Sequence, residues 1–171
     1  MIKNIFITGK PGCGKTTLIM EILKELKLNA GGFYTSEIRE RDIRKGFKII
    51  TLDGKKGILA HVNIKSPYRV SKYKVNIKDL EEIGVNSILD ALKKKQVIIL
   101  DEVGKMEIYS EKFKKAVLTA LDSKKRILGT IKLTIDSFTN KIKNRKDTKI
   151  LYLTGENRQN IKKEILSCLL S

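Results

Sequence analysis

The chain has 171 residues, 41% of them hydrophobic, the length of one domain (residues 1–171) with a single sizeable core and no room for a second. It opens MIKNIFIT, without the basic-then-apolar order of a signal peptide, and holds no run of about 18 apolar residues, so a cytoplasmic protein without a membrane span is expected. The formal net charge of +17 admits nucleic acid, an anionic membrane or an anionic small substrate, but 29 of the 36 basic residues are lysines scattered in doublets and triplets. That pattern reads as a solvated lysine-rich surface, so nucleic acid is not the favoured partner. Cys13 and Cys168 belong to no CxxC pair or metal-spaced cluster, and both read as free thiols.

Residues 2–7, IKNIFI, form a β-branched apolar run suited to a buried strand, and a glycine-rich loop follows it directly. Leu18, Ile19, Ile22, Leu23 and Leu26 then recur at helical spacing, with Glu21, Lys24, Glu25 and Lys27 opposite. From Gly31 to Val62 the texture changes to two or three short strands with turn signals at Arg41-Asp42 and Asp53-Gly54, a meander. Pro67 interrupts, and a polar stretch runs to about Asn76. Leu80, Ile83, Ile88, Leu89 and Leu92 predict helical packing across 77–95, with Gly84 offering a break. The run VIIL, 97–100, predicts a central parallel strand ending at Asp101.

Phe113, Val117, Leu118 and Leu121 mark a helix; RILGTI, 126–131, a strand; Ile135, Phe138 and Ile142 a short helix. KILYL, 149–153, is the last strand, and Ile161, Ile165, Leu166 and Leu169 give the terminal helix its apolar face. Alternating strands and helices imply an α/β fold: a mainly parallel sheet flanked by helices, with a small antiparallel β meander as an insertion or edge.

Two motifs carry chemistry. In Gly9-Lys10-Pro11-Gly12-Cys13-Gly14-Lys15-Thr16 the glycines permit a tight turn whose backbone N–H groups point inward at phosphate oxygens. The helix beginning near Gly14 adds its positive end, Lys15 reaches the β and γ phosphates, and the Thr16 hydroxyl binds the Mg2+ they carry. Strand, loop, GKT and helix together make this a P-loop for a nucleoside triphosphate. The second motif, Val97 to Glu107 (VIILDEVGKME), sets two adjacent acids at a strand's C-terminal end, where open α/β sheets bind ligands. Asp101 is placed to hold the magnesium shell and Glu102 to orient or deprotonate an attacking water. Asp101-x-x-Gly104 also spells a GTPase switch, but Asn140-Lys141-Ile142-Lys143 and Asn144-Arg145-Lys146-Asp147 both fail as guanine readers.

With these segments in place the chain resembles the small nucleoside-triphosphatases of the THEP1 type, over nearly its whole length. GKPGCGKTT and the acidic pair are generic to P-loop proteins; Gly31 to Phe47 (GGFYTSEIRERDIRKGF), the DEVGKME extension and Glu156-Asn157-Arg158 are more particular to this family. The resemblance implies a RecA-like P-loop core, monomeric, with slow Mg2+-dependent hydrolysis of ATP, GTP, CTP and UTP and broad base tolerance. By the same resemblance Gly9 to Thr17, Thr17 included, would bind phosphates, Asp101 and Thr16 would support magnesium, and Glu102 would activate water. Lys105 would supply transition-state charge in place of an arginine finger, with Arg39 and Arg158 as weaker candidates. Asn157 and Arg158 read either as base contacts or as the N-cap and first turn of the terminal helix. His61, the single histidine, has no partner in sequence and reads as a strand or loop residue; Cys13, inside the loop, is a thiol exposed to oxidation. Two rival functions are weighed: a small-molecule or RNA kinase whose arginine-bearing lid (Arg39, Arg41, Arg44) would lie in Gly31–Val62, and a nucleic-acid-binding module driven by NTP.

Overall fold

In the computed structural model, which describes residues 1–171, the β-branched runs form one nine-stranded sheet. In chain order β1 is Asn4–Thr8, α1 Lys15–Leu26, β2 Ala30–Glu40, β3 Ile43–Thr51, β4 Lys56–His61, β5 Arg69–Val70 and β6 Tyr73–Val75. A continuous helical run follows: α2 (Ile77–Asp79), a π-helical stretch (Leu80–Val85) and α3 (Asn86–Lys94). Then come β7 (Val97–Val103), a single 3-10 turn (Glu107–Tyr109), α4 (Glu111–Asp122), β8 (Arg126–Ile131), α5 (Ser137–Lys143), β9 (Thr148–Tyr152) and α6 (Arg158–Leu170).

The strand order is β5-β6-β4-β3-β2-β7-β8-β1-β9. β2, β7, β8, β1 and β9 pair in parallel, while β3 to β6 extend the β2 edge antiparallel. β8 therefore lies between the strand that leads into the phosphate loop and the strand that carries the acids, the arrangement of a RecA-like P-loop core. The long β2 joins the two regions: Ala30–Phe33 pair with β7 and Phe33–Glu40 with β3. Near-continuous apolar strands such as Val97–Leu100 follow from burial on both faces. One core face packs Phe6, Phe33, Ile98, Leu100 and Ile127 under α3 and α4; the other packs Ile5, Ile7, Ile99 and Leu128 under α1 and α6.

Several boundaries differ from the sequence reading. β7 does not end at Asp101 but continues through Glu102 to Val103, because Val103 is itself buried and still pairs with Ile131. The polar stretch before Asn76 contains a two-strand hairpin, β5–β6, with the Tyr73 ring packed edge-on against Phe47 at 5.2 Å. Gly84 does not break the helix; it sits in the π-helical stretch, where an added Cβ would meet Ile49 Cδ1 at 2.8 Å, so its lack of a side chain lets the helix close on β3.

Candidate active site

The phosphate loop hangs between β1 and α1. Gly9, Gly12 and Gly14 all hold positive φ (151°, 76° and 92°), which L side chains avoid, and a Cβ on Gly9 would lie 2.7 Å from the Leu153 carbonyl oxygen. The loop start is thus wedged against the end of β9, with no room for a larger residue. Lys15 bends back over the loop: its ammonium donates to the carbonyls of Gly9 (3.2 Å) and Lys10 (3.1 Å), with the Cys13 sulfur at 3.9 Å. These bonds hold the charge at the centre of the cradle. Thr16 lies in the first turn of α1 and Thr17 is exposed beside it; Lys10, Pro11 and Gly12 are exposed at the loop tip.

Asp101 is 1% exposed and both of its oxygens are engaged. The Thr16 hydroxyl donates to Oδ2 at 2.7 Å and the Thr130 hydroxyl, on β8, donates to Oδ1 at 2.6 Å. Burial pushes the Asp101 carboxyl above its ordinary range, opposed by the two threonine hydroxyls and the Thr35 backbone N–H. Three strands and α1 therefore converge on one carboxylate. Hard oxygen ligands side by side suit Mg2+, which keeps several waters and takes only one or two protein carboxylates beside substrate phosphates. No cluster of three or more His, Cys, Asp or Glu side chains with metal-holding geometry exists in the chain, so an ion here would complete its shell with phosphate and water.

Glu102 lies next along β7, joined to Asp101 by a cis peptide bond. Burial, then repulsion from Asp101, raises its carboxyl, with Lys15 pulling the other way. Beneath it is Glu107, only 4% exposed, which accepts the Gly104 N–H at 3.1 Å. A Cβ on Gly104 would collide with the Glu102 carboxylate and meet the Glu107 carboxylate at 3.0 Å, so glycine here lets the two acids close on each other. Glu107 is raised well above the usual range, first by burial and then by Glu102. Lys105, between them in sequence, is exposed and forms no ion pair.

The remaining candidates are committed elsewhere. Arg158 donates to the Gly14 carbonyl at 3.1 Å and to Glu21 at 2.8 Å, stapling the start of α6 to the start of α1. Asn157 occupies the N-cap position of α6 but does not cap it; its amide folds back to accept the Thr154 N–H and donate to the Tyr152 carbonyl, both at 2.8 Å. Arg39 is held by Glu37 (2.7 Å) and the Asp42 carbonyl (2.9 Å), and Arg44 by Glu37 (3.0 Å) and the Tyr73 hydroxyl (2.9 Å). Segment 31–62, where a kinase lid would have to lie, is built into the sheet as β2–β4. His61 ends β4, its Nδ1 accepting the Asn63 N–H.

Motif reading does not single out Thr130, Glu107 or the Arg158 staple. A hydroxyl following the apolar run Ile127–Leu128 near the C-terminal end of β8 is the local sign of Thr130; Arg158 and Gly14, 144 residues apart, give none.

A family model described as NTPase matches residues 4–166. The chain belongs to that NTPase family. Among its relatives, the nucleoside-triphosphatase THEP1 of Thermotoga maritima is 56% identical over 166 residues, covering 97% of this chain and 95% of that one. The human cancer-related nucleoside-triphosphatase is 36% identical over 187 residues, covering 100% and 98%. The crystal structure of THEP1 from Aquifex aeolicus superposes with a TM-score of 0.87 at 37% identity, covering 97% of this chain and 98% of that one. Fold and family therefore agree with the resemblance read from the loop and the DEVGKME segment, and the chain is a nucleoside-triphosphatase of the THEP1 type.

Proposed function

We propose that this nucleoside-triphosphatase hydrolyses ATP, GTP, CTP and UTP to the diphosphate and phosphate in a slow, Mg2+-dependent reaction with little regard for the base. The observation that carries the reading is the doubly anchored Asp101 beside the Thr16 hydroxyl, at the head of a glycine cradle and next to a raised carboxyl, Glu102. Backbone N–H groups of the loop, Pro11 having none, hold the phosphates, and Lys15 exchanges its loop carbonyls for β and γ oxygens. Thr16 and Asp101 would hold Mg2+, which when bound draws charge from the γ-phosphate. Glu102 accepts a proton as water attacks the γ-phosphorus and the bond to the β-phosphate oxygen breaks. A carboxyl lifted toward neutrality by burial is a better proton acceptor than one at its ordinary value.

The side chains around the loop support the finer points. Both polar atoms of Asn157 are consumed inside its own turn, so this residue has no free amide group with which to read a base edge. Arg39 and Arg158 are paired, which leaves the unpaired Lys105 as the cation for transition-state charge and accords with slow turnover, since a supplied arginine finger accelerates such chemistry about 10³- to 10⁵-fold. We also propose a monomeric, cytoplasmic enzyme, a setting that fits two free cysteines. No helix is long and apolar enough to cross a membrane.

The test is phosphate release from the four nucleotides with Mg2+ or with chelator, for wild type and Lys15→Ala. All four are expected to be cleaved at rates within about tenfold, with loss of about a hundredfold or more on chelation or in the variant. Cleavage of a single nucleotide, or turnover indifferent to Mg2+, would overturn the reading.

A further inference from the structure

The antiparallel end of the sheet concentrates positive charge. Between Ile43 and Asn76 there are nine Lys and Arg residues and one acid, Asp53, whereas the other 137 residues hold 27 basic residues and 18 acids. Of those nine cations only Arg44 has an acidic partner within the chain. The lysine doublets look evenly scattered along the sequence because the acids, not the lysines, are what this segment lacks. Strand order then puts all of it at one end, in β3, β4, β6 and β5 and their turns.

One face of this end is open. Register places Tyr34 opposite Ile50, Ser36 opposite Lys48, Ile50 opposite Lys56 and Lys48 opposite Ile58, so these six side chains project from the same side of the meander. The helical run that packs on β3 and β4 lies on the other side: a Cβ on Gly57, which pairs with Ile49, would collide with Ile83, and Gly84 closes on Ile49. Of the six, Lys48 and Lys56 are exposed and Ile58, though apolar, remains 38% exposed; Tyr34 and Ser36 are half-buried, and Ile50 forms the buried floor between them. The open face looks to the α1 side, because Tyr34 and Ser36 share the parity of Gly32, whose partner Ile99 packs with α1. It also adjoins the active site, since Phe33 pairs with Leu100, the residue before Asp101, and Tyr34 and Ser36 follow along the same strand.

We propose that the open face of the β2–β3–β4 meander is a docking surface for a single-stranded nucleic acid, its phosphates on Lys48 and Lys56 and a base stacked on Tyr34. Unpaired cations on a pleated surface meet a phosphate backbone by charge complementarity, and the aromatic Tyr34 with the exposed Ile58 beside them suits bases splayed from a single strand. A duplex, with its bases turned inward, would leave Tyr34 and Ile58 unused. The strand would run past the phosphate loop beside α1, a partner that nucleotide hydrolysis by itself does not require.

The test is fluorescence anisotropy with a labelled oligouridylate of about 20 nucleotides, long enough to span one such groove. Binding is expected at about 50 mM salt and to weaken steeply as salt rises. Lys48→Glu with Lys56→Glu is expected to lower affinity by about tenfold or more and flatten the log–log salt slope by about 1.4, from two lost phosphate contacts. Lys93→Glu with Lys94→Glu, the same charge change on α3 across the sheet, is expected to stay within about threefold, and phosphate release without oligonucleotide should be unchanged in both pairs. No binding at low salt, equal weakening by the two pairs, or a preference for duplex or for phosphatidylserine vesicles over the oligonucleotide would overturn the proposal.

Discussion

Thr130→Val removes one hydroxyl from the site and almost nothing else. The residue is fully buried on β8, and its hydroxyl donates to Asp101 Oδ1 at 2.6 Å; valine keeps the branched shape but faces that oxygen with a methyl group. A hydrogen bond to a charged acceptor contributes about 1.5–3 kcal/mol, and its loss leaves one oxygen of a buried carboxylate without a partner. With one donor gone, burial holds the Asp101 carboxyl higher still, so it is ionised less readily, and the grip on Mg2+ proposed for it should weaken. If the whole effect is felt in the transition state, kcat/KM falls by about one to two decades at fixed Mg2+. The assay is phosphate release over a Mg2+ titration, with Thr130→Ser alongside. Serine should recover most of the activity, and the valine variant should need more Mg2+ to reach half its maximum. Valine within about twofold of wild type, or serine as poor as valine, would refute the role of the hydroxyl.

Two further outcomes follow from the geometry. Arg158→Ala frees the Gly14 carbonyl and Glu21 at once; losing a half-exposed bond of about 0.5–1.5 kcal/mol should raise KM for all four nucleotides by about two- to tenfold with kcat within about twofold, and Arg158→Lys should recover part of it. Glu107→Gln should change thermal stability in a pH-dependent way. Burial raises the native carboxyl well above its ordinary 4.5, so its contribution is fully present below that value and is lost as pH rises through the raised one. The glutamine variant, which carries no proton to lose, should therefore match wild type in melts below about pH 4.5, gain on it as pH rises from there to the raised native value, and hold a constant lead beyond it.

What the sequence shows and what it hides divides by range. The phosphate loop and β8 are legible because glycine spacing and an unbroken apolar run are local signals; RILGTI begins and ends where β8 does. β7 extends past the expected end because Val103, separated from VIIL by two acids, is anchored by Ile131 on another strand. The β5–β6 hairpin escapes since strands of two and three residues are too short to show alternation, and its anchor is a ring from β3. Within the site, Lys15, Thr16, Asp101 and Glu102 are named by motif, whereas Thr130 and Glu107 matter through burial and neighbours that only the folded sheet supplies. Asn157 shows the converse: a residue type that suits base recognition is used up in shaping its own turn.

The central claim is that Glu102 activates the attacking water beside a metal-supporting Asp101. The direct measurement is single-turnover hydrolysis of ATP by Glu102→Gln, with nucleotide affinity measured separately by equilibrium titration. Hydrolysis is expected to fall by about 10²- to 10⁴-fold, the contribution of a general base, while affinity stays within about threefold. A variant that still cleaves ATP within about tenfold of wild type would contradict the assignment and move the search for the base elsewhere in the site.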